Sequence, residues 1–269
     1  ISVSGYPNSS FIFTISFMHR LAATPGGWTA EAEGVIVIQQ SPAPIVYLTA
    51  ADTDISALSQ AVTRLPDTFA DIRSVNLLQL KQQLTIDTYA EDVLAAARLI
   101  IVRVLGGRAY WSYGLEVVKA TAESTGAALV ILPGDDRPDL DLMSHSTVPL
   151  TVVNRLWQYL VEGGVDNLRN GLLYISNTVL NTDYLLSPPQ TISKSGIYTF
   201  LKDDTQQIST NQLVTLDSPN LTKGARVGIL FYRAHFLAGN TQVIDAIAQA
   251  LTARRLTSVP IYVSSLKDV

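Results

Sequence analysis

Two stretches of almost continuous apolar residues constrain the fold of this chain more than any other feature. Leu99 to Leu105 and Ala128 to Pro133 are apolar at nearly every position, which predicts strands buried on both faces. Strands of that kind are typical of a parallel sheet covered by helices on both sides. Each stretch runs directly into a loop, and ligands of open parallel sheets bind outside the carboxyl ends of the strands. The sequence therefore predicts an α/β domain with a ligand site at these two loops.

The other patterns before residue 187 alternate between strand and helix, as a doubly wound, mostly parallel sheet requires. A capping-box pair, Thr88 and Glu91, predicts the start of one of the helices. Further strands are predicted at residues 34–38, 45–49 and 72–78, and helices at residues 55–65, 88–97, 112–125, 148–161 and 165–180.

Shifts in composition predict how the chain is divided. We expect residues 1–17 to be an upstream or non-native extension before Met18, and residues 18–186 to form the α/β head domain. Residues 187–195, which begin Ser-Pro-Pro, are predicted to be a linker. Residues 196–269 hold little more than one strand–helix–strand unit, with strands at 226–232 and 259–263. Because such a unit cannot cover both faces of its sheet, we predict an incomplete second α/β domain and a chain that is a fragment of a longer protein.

Composition excludes several classes of protein. Hydrophobic residues make up 47% of the chain and charged residues 16%, so intrinsic disorder is excluded. The net charge is -4 and no basic run exceeds Arg254-Arg255, which argues against a nucleic-acid partner. The apolar stretch Phe11 to Met18 is too short to span a bilayer. With no cysteine in the chain, we expect a cytoplasmic protein without disulfides or thiolate metal sites.

The loop after the first apolar stretch carries a glycine pair followed by a cation and two aromatic residues. Gly106 and Gly107 resemble half of a phosphate loop, but neither standard nucleotide-binding motif is present. The planar guanidinium of Arg108 is suited to a carboxylate or phosphate, and we expect a carboxylate-rich ligand. Tyr110 and Trp111 are candidates for stacking against a flat ligand. The alternative is that these aromatic residues anchor the following helix in the core.

The loop after the second apolar stretch is acidic. Asp135 and Asp136 precede Arg137, two more aspartates follow, and His145 lies shortly beyond. Carboxylate oxygens of this kind can hold a divalent metal ion. The simpler interpretation is a solvated loop whose acidic residues favour the start of the next helix, and no resident metal is predicted.

Ser144-His145-Ser146 places a hydroxyl beside a possible base. The chain has no G-x-S-x-G elbow to support a nucleophile there. We prefer the interpretation that Ser146 or Thr147 caps a helix and that His145 is a fixed polar residue.

A third candidate cluster lies in the second unit, between its first strand and its helix. Arg233, His235 and Asn240 are candidates for binding a ligand in a cleft between the two domains, and the simpler interpretation of Asn240 is the N-cap of the helix. Because this segment also follows the carboxyl end of a strand, we predict that it forms the wall opposite the two loops of the first domain.

Several long segments in order carry a resemblance to a known family. They include MHRLAATPGGW, GVIVIQQSPAPIVYLTAADTDI, LLQLKQQLTIDTYAEDVL, LGGRAYWSYGLEVV, LPGDDRPDLDLMSHSTVPL and VGILFYRAHFLAGNTQVIDAI. From Met18 to Val269 the chain resembles the amino-terminal part of the CobN-type cobaltochelatase large subunit. The related branch of that family is the magnesium chelatase H subunit, which takes protoporphyrin IX.

The resemblance implies the tetrapyrrole-binding subunit of an enzyme that inserts cobalt into hydrogenobyrinic acid a,c-diamide during cobalamin biosynthesis. It implies that the whole complex uses ATP, Mg²⁺ and Co²⁺, and that the partners are an AAA+ ATPase subunit and its metal-site companion. It also implies that the catalytic residues lie beyond Val269, so we expect no catalytic residue and no bound cofactor in this chain. Two alternatives remain: a self-sufficient small-molecule enzyme using Asp135, Asp136 and His145, and a noncatalytic module that only docks partners.

Overall fold

Residues 21–133 contain five strands that form a parallel sheet, which confirms the predicted α/β class. The computed structural model describes residues 20–26, 36–199 and 225–265. The predicted extension at residues 1–17 lies outside the described residues. The sheet has the order β1-β3-β2-β4-β5. Its strands are β1 (Leu21–Thr24), β2 (Ile45–Thr49), β3 (Ile72–Asn76), β4 (Leu99–Val104) and β5 (Ala128–Pro133).

Helices cover both faces of this sheet, as a doubly wound fold requires. On one face α1, α5 and α6 pack against Ile45, Tyr47 and Leu99, and on the other α2 and α3 pack against Val46 and Ile100. The continuous apolarity of β2, β4 and β5 is explained by these two cores. The helices are α1 (Asp52–Val62), α2 (Gln83–Asp92), α3 (Ser112–Thr125), α4 (Leu140–Met143), α5 (Leu150–Glu162) and α6 (Val165–Val179).

Three predicted elements differ from the structure. The strand predicted at residues 72–78 ends at Asn76, and a 3₁₀ helix follows at Leu77–Leu80. Residues 36–38 are not a strand, and residues 34–35 lie outside the described residues. Strand β1 pairs with the edge of β3 instead, and Gln40 bonds to backbone carbonyls of both strands. The helix predicted from Thr88 begins earlier and ends at Asp92, and a short 3₁₀ helix follows at residues 94–96. The buried residues of α2 start at Thr85, so its apolar face begins a turn before the capping-box pattern.

The edge of the sheet at β5 is protected by side chains from the loop after α4. Ser146 Oγ accepts from the backbone N–H of Ile131 at 2.9 Å, and Thr147 Oγ1 accepts from that of Leu129 at 2.7 Å. These hydroxyls therefore satisfy an edge strand and do not cap α5, whose N-cap is Pro149. The predicted capping role of Ser146 or Thr147 is wrong, because their hydroxyls accept hydrogen bonds from backbone N–H groups on the free edge of β5.

The second unit is a smaller mixed sheet with the order β6-β8-β7. Strands β7 (Arg226–Tyr232) and β8 (Thr257–Val263) are parallel, and β6 (Ser195–Ile197) runs antiparallel to β8. Helices α7 (Arg233–Leu237) and α8 (Gln242–Ala253) connect the parallel pair. The core on the helical side consists of Phe231, Ile244 and Tyr262. The proposed division into domains stays a prediction.

Candidate functional site

The order of the strands creates a switch point between β2 and β4. The chain moves from β2 to β3 on one side, then crosses back over β2 to reach β4 and β5 on the other. Crevices at such points, outside the carboxyl ends of the strands, are where open α/β sheets bind ligands. Thr49, the last residue of β2, is paired in register with Arg103, the last residue but one of β4, and their side chains share a face.

An ion pair joins the end of β4 to the first turn of α1. Arg103 Nη1 donates to Asp54 Oδ1 at 2.6 Å, and only 13% and 14% of the two side chains are exposed. The second carboxylate oxygen accepts from Thr49 Oγ1 at 2.6 Å and from the Tyr47 hydroxyl at 3.4 Å. Arg103 Nη2 donates to the backbone carbonyl of Gly134 at 2.9 Å. The cluster therefore ties β2, β4, α1 and the loop after β5 together.

The electrostatics of this cluster hold Arg103 charged and Tyr47 neutral. Burial disfavours the charged form of Arg103, but the negative charge of Asp54 and the hydrogen bonds outweigh burial, so the pKa of Arg103 is raised. Burial is the largest cause of the raised pKa of Tyr47, and the neighbouring Asp54 carboxylate raises it further. Tyr47 consequently stays a neutral donor, while Arg103 and Asp54 form a pair with no net charge.

A cleft of about 190 Å³ opens beside this pair. Its floor includes Tyr47, Asp54 and Arg103, and the turn between α5 and α6 forms one side. The opposite side is α7 of the second unit, so the cleft lies between the two units. Its aliphatic lining consists of Ala57, Leu160, Val161, Leu168, Ala234, Leu237 and Ala238.

The loop after β4 leads into α3, which packs on the face of the sheet opposite α1 and α5. Gly106 and Gly107 adopt positive φ angles of 78° and 73°, which favour glycine. Arg108 forms an exposed ion pair with Glu116 at 2.8 Å. Tyr110 is 40% exposed, and Lys81 Nζ lies 5.8 Å from its ring centroid.

Trp111, in contrast, lies in the core. The residue is 5% exposed, and its Nε1 donates to the backbone carbonyl of Leu80 at 3.0 Å. Gly114 lies against the ring, where a Cβ would come within 2.0 Å of Cε2. The interpretation of Trp111 as an exposed stacking platform is therefore wrong, because the anchoring alternative accounts for its burial and its hydrogen bond.

The acidic loop after β5 is solvated. Asp135, Asp136 and Arg137 are exposed, and Asp139 caps α4 by accepting from the N–H of Leu142 at 2.9 Å. In the part of the chain that the structure describes, no three His, Cys, Asp or Glu side chains are grouped to hold a metal ion.

His145 is held near a lysine and not near a nucleophile. Its Nδ1 lies 3.4 Å from Lys119 Nζ, and its buried Nε2 has no partner among the described residues. The Ser144 hydroxyl donates to the backbone of Asp141, and Ser146 bonds to β5. The geometry does not join these serines to His145 as a nucleophile and base.

The third predicted cluster contributes mainly to the junction of the two units. Arg233 donates to the backbone carbonyls of Ile192 at 2.8 Å and Ser193 at 3.0 Å, so it fastens α7 to the connecting segment. His235 and Asn240 are exposed. The N-cap of α8 is Thr241, so the capping role predicted for Asn240 is wrong. Three neighbours, Ala234, Leu237 and Ala238, line the cleft instead.

Comparisons with known proteins identify the family. The CobN/Magnesium Chelatase family model matches residues 157–269. The aerobic cobaltochelatase subunit CobN of Pseudomonas aeruginosa is 34% identical over 254 residues, which cover 93% of this chain and 20% of that subunit. The corresponding subunit of a Sinorhizobium species is 35% identical over 256 residues, again covering 93% and 20%. The chain belongs to the CobN/magnesium chelatase family.

A solved structure agrees with this family assignment. The catalytic subunit of cobaltochelatase from Mycobacterium tuberculosis is similar to this chain with a TM-score of 0.63 and 27% identity. The similarity covers 84% of this chain and 16% of that one. The chain thus spans about a fifth of the length of its curated CobN relatives. Among the described residues of this family member, no helix has the length and apolarity needed to cross a membrane.

Sequence reasoning missed the Arg103–Asp54 pair. One signal was present: Arg103 is the charged residue within β4, which is otherwise apolar and predicted to be buried. A cation in such a strand needs a partner. The partner comes from α1, 49 residues earlier, and nothing in the local pattern distinguishes Asp54 from the neighbouring Asp52.

Proposed function

We propose that this chain is a substrate-handling region at the amino-terminal end of the large subunit of an ATP-dependent cobaltochelatase. The observation that carries the proposal is the similarity to two CobN subunits over 93% of the chain. The substrate we propose is hydrogenobyrinic acid a,c-diamide, into which the complex inserts cobalt. ATP hydrolysis is assigned to an AAA+ partner and its companion subunit, and metal insertion to parts of the large subunit outside this chain.

The exposed part of the loop after β4 is suited to the edge of a flat macrocycle that bears carboxylates. The side chains of Arg108 and Glu116 are 51% and 56% exposed, and an ion pair of that kind contributes only about 0–1 kcal/mol. Arg108 can therefore exchange Glu116 for a carboxylate of the substrate at little cost. The ring of Tyr110, two residues along, provides an exposed aromatic surface beside it.

A second candidate from the same family is the magnesium chelatase H subunit, with protoporphyrin IX as substrate. The family model describes both branches, so it favours neither. The two curated CobN relatives favour cobalt.

The deciding experiment is an insertion assay with the full-length subunit and its co-purified partner subunits. We expect ATP-dependent insertion of Co²⁺ into hydrogenobyrinic acid a,c-diamide, and none of Mg²⁺ into protoporphyrin IX. The 269-residue chain alone, assayed in parallel with the same partners, is expected to insert neither metal. Insertion of Mg²⁺ into protoporphyrin IX by the full complex, without cobalt insertion, would contradict the proposal.

A further inference from the structure

The cleft between the two units has the features of a small, separate binding site. It lies at the switch point of the sheet, and its walls come from β2, β4, α1, the α5–α6 turn and α7. Ligand pockets for whole drug-sized molecules measure about 300–1,000 Å³. At about 190 Å³ the cleft is too small for a macrocycle and is suited to one small group.

The charges on the floor of the cleft determine what that group can be. Arg103 and Asp54 neutralise each other, and the remaining lining is largely aliphatic. A carboxylate bound here would leave a buried net negative charge, which is costly in such surroundings. A purely apolar group would leave the remaining N–H donors of Arg103 unsatisfied. The complementary group is therefore uncharged and carries both a donor and an acceptor.

The hydrogen-bonding capacity that remains on the pair matches this requirement. A guanidinium has five N–H donors, and Arg103 has three hydrogen-bond partners in the structure, Asp54, the Gly134 carbonyl and the Tyr47 hydroxyl. Within the described residues its buried Nε has no partner. The Asp54 carboxylate accepts from Arg103, Thr49 and Tyr47, and a carboxylate accepts about four hydrogen bonds.

We propose that this cleft binds a primary carboxamide. The amide carbonyl accepts from Arg103, the amide N–H donates to Asp54, and a short aliphatic chain lies against Leu160, Leu168 and Leu237. The loop after β4, with its exposed Arg108, is suited to a carboxylate and does not line the cleft, so the loop and the cleft select different substituents. The proposal does not depend on which metal or macrocycle the complex uses.

The test compares isobutyramide with isobutyrate, which has the same shape but carries a charge. Binding to the full-length subunit is measured by saturation-transfer NMR. Ala234 is exposed and lines the cleft, so Ala234→Leu fills the cleft from α7 without altering the ion pair. The matched control is Ala246→Leu, at an exposed alanine of α8 away from the lining.

We expect a saturable isobutyramide signal that Ala234→Leu lowers at least fivefold and Ala246→Leu leaves unchanged, and no cleft-dependent isobutyrate signal. An isobutyramide signal that is equal in the Ala234→Leu variant and the wild type would overturn the proposal. So would an isobutyrate signal that depends on Ala234 as strongly as the isobutyramide signal does.

A second variant removes the negative charge from the floor of the cleft. Asp54→Asn leaves Arg103 with a net positive charge, so its preference is expected to shift from isobutyramide toward isobutyrate by at least threefold. An unchanged preference would contradict the role assigned to the neutral pair.

Adding hydrogenobyrinic acid a,c-diamide to the wild-type sample then shows whether the amide that binds the cleft belongs to the macrocycle. This competition experiment rests on the proposed function. Displacement of isobutyramide assigns the group to the macrocycle, and its retention assigns the cleft to a separate small amide. The insertion assay tests the proposed function itself, so the two failures are distinguishable.

Discussion

Separating Arg103 from Asp54 is expected to destabilise the first unit more than any surface change. Removing one partner of a buried ion pair costs about 3–5 kcal/mol, because the other charge stays buried without compensation. Here 13% and 14% of the side chains remain exposed, and Thr49, Tyr47 and Gly134 still bond to the remaining partner. We therefore expect about 2–3 kcal/mol for Asp54→Asn or for Arg103→Met.

The assay is urea unfolding of the 269-residue chain, followed by circular dichroism, with both single variants and the double variant. Because each single change removes the same contact, the double variant is expected to lose at least 1 kcal/mol less than the sum of the singles. Thermal midpoints should fall by about 2–4 °C for each kcal/mol. The matched control is the exposed pair Arg64–Asp166, for which the coupling should be about 0–1 kcal/mol.

A coupling energy for Arg103 and Asp54 within about 0.5 kcal/mol of that of the exposed pair would refute this reasoning. The pair would then contribute no more than a solvated contact, and the cleft floor would not be the preorganised neutral surface described above.

Three further predictions concern packing, pH and the sheet edge. Gly114→Ala should lower the free energy of unfolding by about 1–3 kcal/mol, because the added Cβ would overlap the Trp111 ring. The control Gly228→Ala, whose Cβ meets no described atom within 4 Å, should change the free energy of unfolding by less than about 1 kcal/mol, and equal urea midpoints for the two variants would contradict this prediction. Because the pKa of Tyr47 is raised in the folded state, the contribution of its neutral hydroxyl to stability is complete below about pH 10 and is lost as the pH rises further. Tyr47→Phe should therefore reduce the loss of stability at alkaline pH in a pH series of urea unfolding measurements, and an unchanged slope of stability against pH would refute this prediction. Thr147→Val should leave the backbone N–H of Leu129 in β5 without its partner and lower the free energy of unfolding by about 1–3 kcal/mol. The exposed strand edge should also increase self-association in size-exclusion chromatography, and an unchanged elution volume with an unchanged urea midpoint would argue against protection of this edge.

The strands that are buried on both faces were predictable from sequence because burial on two faces requires continuous apolarity. The bounds of β5 match the predicted range, and β4 ends one residue earlier than predicted. The bounds of β7 also match, although one of its faces is exposed. Strand β1 was not predicted, since it has four residues and is recognised only through its pairing with β3, about fifty residues away. The α2 helix began earlier than expected because burial against the sheet, and not the capping-box pair, determines its start.

The candidate site was located only in part. The sequence indicated the carboxyl edge of the sheet and the segment Arg233 to Asn240, and residues of that segment do line the cleft. It did not indicate that Trp111 turns inward, which depends on the space at Gly114 and the carbonyl of Leu80. Nor did it pair Arg103 with Asp54, because that contact exists only once β2, β4 and α1 are assembled.

The central claim, that this region holds the tetrapyrrole and does not perform the insertion, is tested most directly by one titration. Hydrogenobyrinic acid a,c-diamide is titrated into the full-length subunit carrying Arg108→Ala with Tyr110→Ala, and into a control carrying Arg155→Ala, an exposed arginine of α5. Loss of a charge-assisted hydrogen bond, at about 1.5–3 kcal/mol, predicts a dissociation constant raised about tenfold or more, with an unchanged cobalt insertion rate at saturating substrate. An unchanged dissociation constant, or a lost insertion rate at saturation, would contradict the claim.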